Sequence, residues 1–473
     1  MDKNDGVLLT DGDRAKIERI ANAVFPQQRA LGQVPRMAAA VVLDGEVVAF
    51  SGHNASETSL FRIASMTKSF TAAATLLLRD EGKLALDTPV AAYVPEFAGL
   101  VGPTTDSPPI TVRHLLTMSG GLATDDPWGD RHLDITHEEL NVVVQSGPRF
   151  AVHPGTGFEY SNLGYAVIGR IIQRVTGTLP QTFITERFLQ PLGMTQTLWE
   201  ASHASAGTDV VFGTRDDGVT PEYVSPDGGL ATRGGLWSTV ADLARWVGFF
   251  TDCYPPRSGD DPFPLKRSSR REMQSMHTFH EPFSQVTSDG ARISHNGGYG
   301  MGLLIHHDET LGEVAGHSGG LPGYGSNMRW VKGTGYGVIA LGNTTYAPMA
   351  TATRRVLDAL SAAKVVRKPL LEPPSQLVEA GSALLSLLSH WSDARARTLF
   401  ADNVGPDEPF EERRRQADEF AAKNGELRLA RVEADSAAAG RVVAHSATGE
   451  ITISFSLAPL LGVHVQKYDL PKE

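Results

Sequence analysis

Residues 61–70 read FRIASMTKSF and place Ser65 three residues before Lys68. The run continues as TAAATLLLRDEG over 71–82, where small and apolar side chains dominate. A helix apolar on nearly all sides is a buried helix. Arg79 suits its last turn and Gly82 a left-handed stop. Positions three apart share a helix face, so Ser65 at the start meets the Lys68 side chain directly. The free N–H groups of the first turn point the same way and favour a developing anion. The plainer alternative is a helix cap at Ser65 and a lysine at Lys68 that snorkels to the surface.

The spacing alone decides nothing, because SAAK repeats it at Ser361 and Lys364. That copy falls near a helix end and runs into a charged, Pro-rich stretch, which reads as a solvated helix end. The surroundings of residues 61–70 make them the candidate.

The chain has 473 residues, enough for two or three domains, with 41% apolar residues and Gly and Pro dispersed, a globular composition. A net charge of -11 disfavours a nucleic-acid surface. RSSRRE at 267–272 is the one basic cluster and follows the loop-like CYPPRSGDDPFPLK. Cys253 is the single cysteine, which excludes an internal disulfide and a cysteine-based metal site. The start, MDKNDGVLLTDGDRAKIERI, lacks the basic segment and apolar run of a secretion signal, and no apolar stretch is long enough to span a bilayer. The expectation is a soluble, cytoplasmic protein.

DGDRAKIERIANAVFPQQRALG predicts an amphipathic helix capped by Asp11 or Asp13, with Ile17, Ile20, Ala21 and Val24 on one face. RMAAAVVLDGEVVAFSG predicts a hairpin turning at Asp44-Gly45. The pattern is mostly helical from about 60 to 290. Strands return in YGMGLLIHHD, GEVAGHSGG, GSNMRWVKG and GYGVIALGN, and MATATRRVLDALSAA closes the region as a helix. Strands at both ends can share one sheet, with the helical segment inserted as a lobe beside it. KVVRKPLLEPPSQ, 364–376, reads as a linker. Beyond it, 377–473 carries two helical stretches and then strands, a separate α+β domain.

Two further stretches carry chemistry. FEYSNLGYAVIGRII holds Tyr160-Ser161-Asn162 just before an apolar helix, and GHSGGLPGYGS holds His317-Ser318-Gly319 at a strand edge. His295-Asn296-Gly297 is a weaker candidate for the last of these. Ser-x-x-Lys, Tyr-x-Asn and Lys/His-x-Gly in that order resemble the three motifs of the serine β-lactamase and penicillin-binding family. The flanking LFRIASMTKSFTAAATLLLRDEGKLALDTPV, ITVRHLLTMSGGL and GGLWSTVADLARW look like blocks of its class C-like branch, with family VIII esterases and D-aminopeptidases.

The resemblance implies an α/β (α+β) β-lactamase-like fold: an antiparallel sheet from both chain ends and an inserted helical lobe at about 66–290, within a hydrolase domain of 1–363. It implies a covalent acyl-enzyme on Ser65, with Lys68 or Tyr160 as the base. Lys68 serves if burial and a neighbouring cation keep it neutral, and Tyr160 serves if the Lys68 charge lowers its phenol. Asn162 would bond Lys68 and a substrate amide. The N–H groups of Ser65 and Gly320 would hold the oxyanion, glycine at 320 letting backbone approach the substrate. His317 stands where β-lactamases and D,D-peptidases carry lysine, which weakens the case for carboxylate-bearing β-lactams. The expected substrate is a small ester, amide or short peptide, with no cofactor, metal, nucleic acid or membrane. Acyl transfer to an amine, β-lactam or D,D-peptide hydrolysis, and a non-catalytic sensor remain alternatives. The C-terminal domain resembles cystatin-like or nuclear-transport-factor-like folds.

Overall fold

The MAAAVVL run has no polar face, and its neighbours explain why. In a computed structural model describing residues 9–99, 102–286, 290, 292–369 and 371–471, it forms β1 (Met37–Leu43) inside an eight-stranded antiparallel sheet. Met37, Ala39 and Val41 face a core shared with Ile17, Phe25 and Val356 of the terminal helices. Ala38, Ala40 and Val42 face the lobe core with Trp246 and Ile339. A strand covered on both faces needs no polar alternation.

β1 turns back at Asp44 and Gly45, both with positive φ (49° and 89°), into β2 (Glu46–His53). This is the left-handed pair that a two-residue hairpin requires. β3 (Phe61–Arg62) pairs with β4 (Trp237–Ser238) as a separate ribbon. The remaining strands of the large sheet are β5 (Thr278–Val286), β6 (Arg292–Tyr299), β7 (Leu304–Asp308), β8 (Gly312–Leu321), β9 (Tyr324–Val331) and β10 (Tyr336–Gly342). Their order is β2-β1-β10-β9-β8-β7-β6-β5, so β10 returns to pair with β1 from the far end of the sequence.

Helices Asp11–Leu31 and Met349–Ala362 cover one face of the sheet. The first is capped by Thr10, which accepts from the Asp13 N–H at 3.1 Å, and not by either aspartate. Ile17 and Ala21 are fully buried there, while Ile20 and Val24 lie at the margin. The helical lobe covers the other face. It ends earlier than the sequence reading places it, because β5 already begins at Thr278. Its polar FHEPFSQV sequence carries no clean alternation.

The chain divides between Lys368 and Pro369 into two compact units. The second holds helices Ser375–Ser389 and Phe410–Asn424 and a meander of β11 (Arg428–Ala434), β12 (Ala439–Ser446), β13 (Gly449–Leu457) and β14 (Val465–Asp469). It has its own core, including Leu384, Phe420, Val442 and Phe455. No helix among the described residues is long and apolar enough to cross a membrane.

Candidate active site

The Thr67–Asp80 helix is buried without a break from Thr67 to Leu78. Ser65 lies in the short 3-10 turn Ala64–Met66 that leads into it. Ala64 adopts φ 49°, a region that non-glycine residues enter at a cost of about 1–3 kcal/mol. Several contacts hold it there. Thr67 Oγ1 donates to the Ala64 carbonyl at 2.7 Å, and Ser326 Oγ donates to the Ile63 carbonyl at 2.7 Å. A side chain on Gly319 would place Cβ 2.2 Å from the Ile63 carbonyl oxygen and 3.1 Å from Ala64 Cβ. Only glycine lets the Ser65 turn lie against β8.

Lys68 is fully buried, and its Nζ makes three bonds: Ser65 Oγ at 3.0 Å, Asn162 Oδ1 at 2.7 Å and the Arg233 carbonyl at 2.9 Å. Burial, then the Arg233 guanidinium, lower its pKa to about 7, against the opposing pull of Asp126, Asp125 and Asp130. Burial and a neighbouring cation are thus both present. Arg233 is itself buried, with Nη1 2.6 Å from Asp130 Oδ1 and Nη2 bonded to the Gly129 carbonyl. Asp130 also accepts from the Tyr346 hydroxyl at 2.7 Å.

Tyr160 is half-buried, its ring centroid 4.9 Å from Lys68 Nζ. Burial, then the Asp126 charge, push its phenol well above its ordinary value, although a hydrogen bond with Ser65 pulls the other way. The expected lowering by Lys68 does not occur, because desolvation of the phenolate dominates. Asn162 opens the Asn162–Thr176 helix, which Ser161 caps by accepting from the Gly164 N–H at 3.1 Å. Asp125 accepts the Asn162 and Leu163 N–H groups, each at 2.8 Å, and Asp126 accepts from Asn162 Nδ2 at 2.6 Å. The amide therefore presents its oxygen to Lys68.

His317 is buried on β8 with its ring centroid 6.3 Å from that of Tyr160. Nδ1 donates to the Ser318 carbonyl at 2.5 Å and Nε2 accepts from the Tyr299 hydroxyl at 2.9 Å. Burial, then the Lys68 charge, lower its pKa to about 3. Both ring nitrogens are thus engaged within the protein. Ser318 Oγ accepts from Asn327 Nδ2 at 2.9 Å. β7 pairs with β8 only as far as Gly316, so residues 317–321 keep an open strand edge. A Cβ on Gly320 would lie 2.6 Å from the ring of exposed Tyr346, so a side chain there would have to displace that ring from its bond to Asp130.

Ser65, Lys68, Tyr160, Asn162 and His317 therefore converge. Ser361 lies elsewhere, its hydroxyl 3.4 Å from that of exposed Thr310. Cys253 is buried and its thiol is pushed up to about 11 by burial, an inert group. The side chain of His295 lies outside the described residues. Sequence reading missed Arg233, Asp126, Tyr299 and Tyr346. The acidic TDDPWGD and the glycine-flanked ATRGG were the available signals, and both read equally well as loops.

An antiparallel sheet with an inserted helical lobe and this Ser-Lys-Tyr cluster define the β-lactamase-like class of serine hydrolases. The sequence profile of the Beta-lactamase family matches residues 21–363, and the chain belongs to that family. It is 28% identical over 355 residues to Protein flp of Staphylococcus aureus (strain N315), covering 72% of this chain and 65% of that protein, so it spans less than two thirds of that relative's length. It is 27% identical over 289 residues to Penicillin-binding protein 4* of Bacillus subtilis (strain 168), covering 57% of each. The octameric penicillin-binding protein homologue from Pyrococcus abyssi has the same fold at TM-score 0.58 and 21% identity, over 95% of this chain and 92% of that one. A class C β-lactamase matches at TM-score 0.58 and 19% identity, over 74% of this chain and 97% of its own.

Proposed function

We propose that the protein hydrolyses an ester or amide bond of a small substrate through an acyl-enzyme on Ser65. The observation that carries this reading is the buried Lys68 amine 3.0 Å from Ser65 Oγ, with its pKa lowered to about 7. With that pKa a substantial fraction of Lys68 is the neutral amine near pH 7, and in that form it accepts the serine proton as Oγ attacks the carbonyl. Tyr160 keeps its proton at neutral pH and donates it to the departing oxygen or nitrogen. The N–H groups of Ser65 and Gly320 are the oxyanion donors in this reading. A neutral His317 offers no cation to a carboxylate next to the scissile bond, which favours esters and neutral amides over β-lactams.

Labelling with a fluorophosphonate followed by peptide mass spectrometry tests the nucleophile: the adduct belongs on Ser65 and disappears in Ser65→Ala. A short-chain nitrophenyl ester should be turned over faster than a chromogenic cephalosporin. Efficient cephalosporin hydrolysis without ester turnover would restore a β-lactamase reading.

A further inference from the structure

A cavity of about 420 Å³ is lined by Tyr160 and Ser318 and by residues of the sheet and of the Met349–Ala362 helix. That volume suits a small organic molecule, whose sites span roughly 300–1,000 Å³. Leu304, Val314 and Leu357 give it apolar walls. Two guanidinium groups also line it, and they differ in their partners. Arg354 is neutralised by Asp308 at 3.0 Å and Asp358 at 2.7 Å. Arg329 bonds only to neutral oxygens, Nε to Asn327 Oδ1 at 3.0 Å and Nη2 to the Ala350 carbonyl at 3.0 Å. Among the described residues no carboxylate lies within ion-pair distance of Arg329, and its Nη1 has no partner.

The register fixes where that charge stands. Asn327 is paired with Ser318 and Arg329 with Gly316, so Arg329 projects on the same face one step further along β9. Two residues of strand are ~7 Å. A guanidinium with no ion pair in such a place is a ready partner for an anion. Burial and the Arg354 charge lower its pKa only to about 10, against the opposing pull of Asp358, so it stays charged at neutral pH.

Resting on the hydrolase reading above, we propose that the substrate's leaving group carries a carboxylate, separated by a short apolar spacer from the scissile bond, and that Arg329 recognises it in this cavity. The leaving side is chosen because Tyr160, the proton donor to that side, lines the same cavity. The anion site lost at neutral His317 is thus displaced along the sheet, and the substrate is a longer molecule than one with its carboxylate beside the reacting carbonyl.

The test uses the full chain and matched acetate esters: 4-acetoxyphenylacetate and 3-(4-acetoxyphenyl)propionate against their neutral carboxamides. Wild type should prefer the acids. Arg329→Gln keeps hydrogen-bonding capacity and removes charge; it should cut kcat/KM for the acids about ten- to a hundredfold, the worth of a charged hydrogen bond, chiefly through KM. The carboxamides should change by only a small factor, and Arg329→Lys should restore part of the preference. Equal turnover of acids and carboxamides by wild type, or equal losses in Arg329→Gln, would overturn the proposal. Calorimetric titration with 3-(4-hydroxyphenyl)propionate separates the two readings. Binding that depends on Arg329 without ester turnover sinks the hydrolase reading and keeps the anion site. Absent binding, or binding unchanged in Arg329→Gln, sinks the site alone.

Discussion

The Tyr299 hydroxyl donates to Nε2 of His317 across 2.9 Å, while Nδ1–H of the same ring donates to the Ser318 carbonyl. A carbonyl only accepts, so the ring is held as the neutral Nδ1–H tautomer. Its pKa of about 3 lies below that of an unfolded histidine, so the unfolded chain binds the extra proton first. The stability contributed by neutral His317 is complete above about pH 6.5 and is lost as pH falls toward 3. The imidazole proton shifts of His317 should therefore stay constant in NMR spectra from about pH 5 to 8, where a free histidine titrates. An inflection in that range would contradict the buried geometry.

In the proposed mechanism Lys68 sets the acid limb of the rate. With its pKa at about 7, kcat/KM for a nitrophenyl ester should rise close to tenfold per pH unit below about pH 6 and level off above about pH 8. A profile flat from about pH 5 to 9 would remove Lys68 as the base. In stability the lowered pKa has the same sign as that of His317: its contribution is present above about 10.5 and is lost as pH falls to 7.

Tyr160→Phe should lower kcat about 10²- to 10⁴-fold, the usual worth of a positioned proton donor. The thermal melting point should barely move, since the ring is kept. Near-native turnover in this variant would exclude the phenol from the reaction.

Gly319→Ala drives a methyl group to 2.2 Å from the Ile63 carbonyl, which is backbone and has no flexible end to yield. Overpacking of this kind costs about 1–3 kcal/mol and displaces the Ser65 turn from β8. Ester turnover and thermal melting should fall together. Ser318→Ala, which deletes a hydroxyl without adding bulk, should be much milder in both measurements.

Asp130→Asn breaks an ion pair whose side chains are 0% and 3% exposed, and should cost about 3–5 kcal/mol in a denaturation curve. Asp130 also raises the Lys68 pKa, so its removal should move the acid limb of the rate to lower pH. A destabilised variant with an unmoved limb would show that the pair is structural only.

The residues that dictate local conformation were readable from the chain. Asp44-Gly45 specifies its turn by φ alone, and the unbroken apolar run after Ser65 specifies burial. The three motifs were readable because each sits at the start or edge of an element with a plain pattern. Arg233 and Tyr299 were not, since their roles arise from what folds against them. The Arg233 carbonyl reaches Lys68 across a separation of 165 residues, and a backbone atom carries no sequence signature. The cap at Thr10 was misassigned to a neighbouring aspartate because Asp and Thr compete on nearly equal terms for that role. The early start of β5 was hidden by its polar composition.

β1 and β10 lie side by side in the sheet, with Met37 opposite Gly342. At roughly 5–20 residues per second, the ~300 residues between them take about 15–60 s to emerge from a ribosome. Throughout that interval the β1–β2 hairpin exposes MAAAVVL along an unpaired edge, the kind of segment on which strands of other chains add. Nascent chains stalled between about residues 60 and 335 are therefore the species on which chaperones should act and in which aggregation should begin.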